Sequence, residues 1–475
     1  MKKALALTMT AAMAATMLAG CGSSAASSST AASTAESTSA AASEAATDSG
    51  KPYEGVTLHY AATDTEAAGA EMQDIVKMVK EKTGINIEFT IIPKADTGEV
   101  DKRLVSLQAG DELDLIYGTT AQLKVFYDAG VLTPVDELAT NAGYDMKGVF
   151  GDSLPVYSDG QTYGLPAFND VWCTFINNKV FEEAGVEVPS ADGWTWEKYI
   201  ETAQKLTDTD NNIFGSLMLD YDCYNYMYAL QNGAEHYKED GTSNYDDSRF
   251  KDSVEFFYSL GNDLKIQPDI TSYKAGVYPW NGFVSTGVAN DDGSYDNAQF
   301  GMFICGGWAA SMLPNTDKYP RDWTCTLLPM PYPEGQEPST LTVTGCYAIP
   351  ATSKNKEAAF EAIKCIAENQ YSLGYGRVPA RIDLSDAEIN DYIENNMVPT
   401  YAETDGITAD AFRAAWFDAD RKVLSEKVVG PADTTISQIW TSEAPLYGMG
   451  QQDLDTTMQN ILDRSNEAIK EAAAE

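Results

Sequence analysis

The chain has 475 residues, with 71 Asp or Glu against 32 Lys or Arg and a formal charge of −39. At roughly 100–200 residues per domain this length predicts two or three globular units, and 44% hydrophobic content suffices for a normal core, which excludes bulk disorder. So negative a charge repels phosphate backbones and argues against nucleic acid as a partner, and two histidines leave little room for imidazole-held metal.

Lys2 and Lys3 open an apolar stretch from Ala4 to Ala19 that is short and interrupted by Thr8, Thr10 and Thr16. That pattern predicts a secretory signal rather than a membrane span. Its end, Leu18-Ala19-Gly20-Cys21, resembles the lipobox of bacterial lipoproteins. The resemblance implies cleavage after residue 20 and a diacylglycerol on the Cys21 thiol. Of residues 22–49, 24 are Ser, Ala or Thr, so 21–50 is expected to be a disordered tether. The other cysteines, at 173, 223, 305, 325, 346 and 365, show no CxxC spacing and are expected to be mostly buried free thiols.

From Val56 the pattern alternates. Val56–Tyr60 predicts a strand, and Met72, Ile75, Val76 and Val79 a helix stopped by Gly84. Ile85–Ile92 predicts a second strand, Val100, Leu104 and Leu107 a helix ended by Gly110, and Asp114–Gly118 a third strand. This succession predicts a largely parallel α/β sheet with ligand sites beyond its strand ends, near Ala61–Asp64 and Gly118–Thr120. A second unit is expected from Ala167, with a strand at Thr174–Ile176 and a helix from Asn178 to Gly185. Thr195 is expected to cap the next helix, Phe300–Ile304 and Val343–Ile349 to be strands, and Ala359–Ile366 to lie on a helix.

Several phrases in order resemble the extracellular solute-binding family that includes maltose-binding protein. They are Leu107–Leu115, Tyr163-Gly164-Leu165-Pro166, Asn177–Gly185, Trp194–Tyr199, Gly301–Phe303 with Gly307-Trp308, Leu328–Pro331 and Ser353–Ala359. The resemblance implies a type II periplasmic-binding-protein fold: two discontinuous α/β lobes around a ligand cleft. The first lobe would hold 51–165 plus 320–369, the second 166–319 plus 370–475. It further implies a monomeric, membrane-tethered receptor that closes on a sugar and passes it to the permease of an ABC importer, with no catalysis or cofactor of its own. Another small polar solute is the alternative ligand class.

Sugars offer hydroxyls for paired hydrogen bonds and flat C–H faces for aromatic rings, so a sugar cleft needs polar acceptors beside Trp or Tyr. The candidates are Trp308, after two glycines; Trp172, past the lobe crossing; Trp280, in the loop Tyr278–Gly282; and Tyr347, near the lobe junction. Thr119 and Thr120, in the glycine loop, offer hydroxyls and backbone N–H groups. Asp64, after the first strand, either accepts sugar hydroxyls or caps a helix. Arg377, in Gly374–Pro379, is similar to the family's cleft segment. Trp194 and Trp196 are expected to pack. Asp208–Asn212 begins like a calcium loop, but Ile213 stands where the loop needs Gly and Leu219 where it needs Glu, which favours a plain turn. No GxSxG, HExxH or complete GxGxxG occurs. A surface glycoside hydrolase needs only two suitably spaced carboxylates, so it stands as the different-class alternative.

Overall fold

In the computed structural model the described residues are 51–92, 99–278, 284, 298–418 and 420–473. Cys21, the expected signal and tether, and Trp280 lie outside them. Strand β1 (Thr57–Ala62) runs parallel to β2 (Asn86–Ile91), in register from Thr57↔Asn86 to Ala62↔Ile91. A short helix α1 (Asp64–Ala67) and the longer α2 (Ala70–Thr83) connect them. Met72, Ile75, Met78 and Val79 give α2 its buried face, and Gly84 ends it at φ 85, a left-handed turn that a residue with a Cβ makes only at a cost. Helix α3 (Glu99–Ala109) leads to β3 (Ile116–Thr119), which runs straight into α4 (Thr120–Asp128). Tyr60 and Leu115 add a parallel bridge beside β1.

Two strands then carry the chain between halves. β4 (Leu165–Val171) leaves the first half, and β5 (Cys173–Asn177) enters a four-stranded sheet with β6 (Ile213–Leu217), β7 (Gln299–Cys305) and β8 (Cys325–Pro329), in the order β6-β7-β5-β8. β9 (Ser339–Ala348) brings the chain back, antiparallel to both β3 and β4. The short β10 (Val378–Pro379) pairs with β4, and β11 (Lys422–Ser425) with β9.

The sheets are mixed rather than largely parallel. Among the described strands, only β1–β2, β6–β7 and β9–β11 pair in parallel. Parallel neighbours need a long crossover, whereas strands that cross to the other half and return meet antiparallel.

Burial locates the halves. Leu58, Ile75, Phe150, Leu165, Phe168, Tyr347 and Ile363 share one core, with Leu123, Phe126 and Cys346 in a satellite cluster. Val171, Trp172, Trp194, Trp196, Phe303, Leu327, Leu341, Trp416 and Trp440 share the other. The crossings therefore fall near 169–170 on β4 and 342–345 on β9. The boundary expected at residue 320 is corrected to the middle of β9, because β8 pairs with β5 and buries Leu327 and Leu328 in the second core. The expected packing of Trp194 and Trp196 holds, at 0% and 1% exposed. Cys173, Cys223, Cys305, Cys325, Cys346 and Cys365 are all buried free thiols. Asp208 accepts from Asn211 at 2.6 Å across a one-turn 3₁₀ segment. No described helix is long and apolar enough to cross a membrane.

Candidate functional site

A cleft lies where the two cores meet, divided into two chambers of about 820 and 540 Å³. Tyr117 and Arg377 line both and form the partition between them.

The first chamber is built on the turn after β1 and the start of α2. Thr63 caps α1, accepting from the Glu66 N–H at 3.1 Å, while Glu66 accepts from the Tyr60 hydroxyl at 2.5 Å. Thr63, Thr65 and Glu66 face the chamber together with Glu71 of α2, Arg103 of α3, Tyr347 and Gln370; Ser311 and Asn315 close it from the second half. Arg103 donates to the Tyr117 carbonyl at 2.6 Å, which fixes the end of β3.

Arg377 follows Gly376, whose φ of 73 and contacts with Tyr401 and Ala310 leave no easy room for a Cβ. Its guanidinium grips Glu71 through Nε and Nη2, each at 2.8 Å, and Asp170 through Nη1 at 2.9 Å. It also lies 4.2 Å over the Phe168 ring, a favourable cation–π placement. Burial works against its charge, but Glu71 and Asp170 outweigh that and hold its pKa well above the ordinary value. Asp170 is pushed up to about 6 by burial, aided by Glu426 and Glu71 and opposed by Arg377.

The second chamber is lined by Thr119, Asp170, Asp220, Tyr221, Asp222, Trp308, Glu426, Lys427 and Thr441 beside the shared pair. Trp308 is half-buried after Gly306 and Gly307. A Cβ on Gly306 would stand 2.9 Å from the Trp308 ring, so glycine is what lets the indole fold back over its own strand end. Glu426 accepts from the Trp172 indole at 2.9 Å and from Lys427 at 2.6 Å.

The structure thus brings Thr119, Trp308, Tyr347 and Arg377 to one cleft and leaves three other candidates out of its walls. Asp64 is exposed on the first turn of α1, its carboxylate accepting from the Thr65 N–H at 2.8 Å; the capping role considered for it belongs to Thr63. Thr120 offers its carbonyl to the Tyr157 hydroxyl at 3.0 Å. Trp172 is 0% exposed within the second core and presents no ring face to solvent, a correction to its expected place in the cleft. Its backbone N–H bonds to the Leu341 carbonyl of β9, and its ring packs edge-on against Tyr224, centroids 5.3 Å apart. The Thr119 hydroxyl accepts from the Gln122 N–H while the Thr119 backbone N–H donates to the Gln122 side-chain oxygen, a capping box for α4. The sequence reading missed Glu71, Asp170, Asp222, Gln370 and Glu426. Asp170 was legible as an acid set in an apolar crossing strand; the others are joined to the site only by the fold.

Two α/β halves with a polar, aromatic-lined cleft at their crossing define a solute-binding architecture. The chain belongs to the family of bacterial extracellular solute-binding proteins, whose model matches residues 62–372. A protein of Brucella abortus (strain 2308) named as a binding protein is 27% identical over 199 residues, 41% of this chain and 46% of its own, so the match spans about half of that relative's length. Among solved structures, an ABC substrate-binding protein from Listeria monocytogenes in complex with cycloalternan superposes with a TM-score of 0.69 at 20% identity, over 87% of this chain and 99% of that one. Maltose-bound MalE3 of T. maritima gives 0.64 at 17% identity, over 86% and 98%. At such identities the likeness is one of fold.

Proposed function

We propose that this chain is the substrate-binding component of an ABC importer and that its ligand is a carbohydrate longer than one ring. The observation that carries this reading is the divided cleft, two chambers meeting at Tyr117 and Arg377. Its walls put carboxylates and amides, which accept and donate in pairs, beside Trp308, Tyr117 and Tyr347. Sugar hydroxyls need the former and C–H faces the latter. Relatives of this fold are described with cycloalternan and with maltose bound, which supports a saccharide over other polar solutes.

Both halves contribute walls, so a ligand touching both favours the form in which they are close. Only its differential affinity for that form shifts the population. The chain captures and releases, and ATP is spent by other subunits. A lipid on Cys21 would keep it beside the permease, on a tether with a reach on the order of 30 Å.

A thermal-shift screen of mono- and oligosaccharides, with product analysis, tests the reading. Ligand at about 100-fold over its dissociation constant should add roughly 2.7 kcal/mol, with the saccharide recovered intact. Absence of a shift with every sugar sinks it, and released monosaccharide would make the protein a hydrolase. For the anchor, Cys21→Ala should move the protein from the membrane to the soluble fraction; unchanged fractionation would remove the lipid from the account.

A further inference from the structure

The second chamber carries more negative charge than its own cations balance. Asp170, Asp220, Asp222 and Glu426 face it, against Arg377 and Lys427. Both cations are already engaged, Arg377 by Glu71 and Asp170 and Lys427 by Glu426 at 2.6 Å. Lys274, which is not among the chamber's lining residues, pairs with Asp220. Asp222, 6% exposed, accepts from the Tyr226 hydroxyl at 3.0 Å and the Ser437 hydroxyl at 2.5 Å, with no salt bridge to it among the described residues.

The chamber's electrostatics show the same shortage. Burial raises Asp170 in spite of Arg377, and raises Asp220 in spite of Lys274. Two aromatic side chains, Trp308 and the 37%-exposed Tyr221, line the same space. Next door, Gln370 is 2% exposed and gives its Nε2 to Glu71 at 2.8 Å, while its Oε1 has no partner. Carboxylates and ring faces lining one chamber of the cleft complement an ammonium. A neutral hydroxyl uses such acceptors without relieving the cost of burying their charge.

We propose that the saccharide taken by this cleft carries an amino group, whose ammonium seats against the Asp220, Asp222 and Glu426 wall beside Trp308. This rests on the carbohydrate reading above. The same wall rejects uronic acids and phosphorylated sugars by like charge.

The full chain is titrated calorimetrically with glucosamine and galactosamine, their oligomers, and the N-acetylated and uronic-acid counterparts. The free amino series should bind at least about tenfold tighter than its N-acetylated counterpart at low salt, with the gap narrowing at about 0.5 M salt. Near pH 6 its binding should release protons, read from buffers of different ionisation enthalpy, because an ammonium favours the charged carboxylates. Asp220→Asn and Asp222→Asn should each shrink the amino preference; the salt and proton readouts on the unaltered chain stand even if a variant fails to fold. Equal or tighter binding of the N-acetylated or acidic series overturns the amino group and leaves the carbohydrate reading in place. Binding by no saccharide overturns the carbohydrate reading, and this one with it.

Discussion

Arg377 bonds both a first-half helix and the crossing strand, and it lines both chambers. Its partners Glu71 and Asp170 are 17% and 8% exposed at the side chain, and Arg377 itself is 13%, so the triad is largely out of water. Removing one member of such a pair strands the others, at about 3–5 kcal/mol. Arg377→Met should therefore lower the urea unfolding free energy by about 3 kcal/mol, and Arg377→Lys should recover only part, since an ammonium cannot grip Glu71 with two parallel bonds. A loss under about 1 kcal/mol for the Met variant would mean the triad is solvated. Trp308 differs in kind. It packs on the second core with part of its surface in the chamber, so truncation should act on both folding and binding. Trp308→Ala is expected to weaken the best saccharide about tenfold or more, while Trp308→Phe, which keeps a ring face, loses less. Equal losses, measured by calorimetry, would assign Trp308 to packing alone.

The crossing strands β4 and β9 are the element on which the site depends, and their contact is set by one glycine. A Cβ on Gly345 would sit 2.4 Å from the Phe168 ring, the ring beneath Arg377. Gly345→Ala must displace Phe168 or part the strands, at about 1–3 kcal/mol by overpacking. Because the displaced ring carries Arg377 with it, saccharide affinity should fall as well. A variant with wild-type stability and affinity would show that β9 yields freely there. Much of the architecture is legible in the sequence. The strand at Thr57–Ala62, the α2 stripe with its Gly84 stop and the Thr195 cap follow from local periodicity and capping. What the sequence hid is non-local. Periodicity reports that a strand exists but not its partner, so the antiparallel pairing of β3 with β9 and of β8 with β5 could not be read. The same limit explains the site. Trp308 and Arg377 announce themselves by glycine-flanked phrases, whereas Glu71 looks like any helix-surface acid until Arg377, 306 positions later, folds against it. Trp172 failed as a cleft residue for the converse reason: position past a crossing says where the backbone goes, not which face the ring takes.

For the whole molecule, the charge of −39 and the buried acids at the junction act in the same direction over one pH range. Asp170 is raised from 3.8 to about 6 in the folded chain. Between those values the folded state binds more protons than the unfolded state, so stability falls as pH rises through the window. Net self-repulsion grows along the same axis as acids ionise. Opposing this, Asp247, Asp269 and Asp383 have pKa values held below the ordinary aspartate range. Hydrogen bonds from the Arg249 and Arg381 side chains do this for Asp247 and Asp383. At Asp269, burial works the other way and the bonds from Ser272 outweigh it. The stability these groups supply is present above the unfolded-state value and is lost as pH falls toward their folded values. Taken alone these two trends place a maximum at about pH 4. His236, whose pKa burial lowers from 6.5 to about 3, moves it upward, because below pH 6.5 the unfolded chain binds a proton that the folded chain does not. Asp170→Asn isolates the junction's share, because the amide keeps an acceptor for Arg377 without a charge to bury. Relative to that variant, the wild type should gain on the order of 3 kcal/mol between pH 7 and pH 4, read from urea midpoints across that range. Parallel pH profiles for the two proteins would show that Asp170 is solvated enough to ionise normally, and that the wild type's acid-side gain comes from net charge alone.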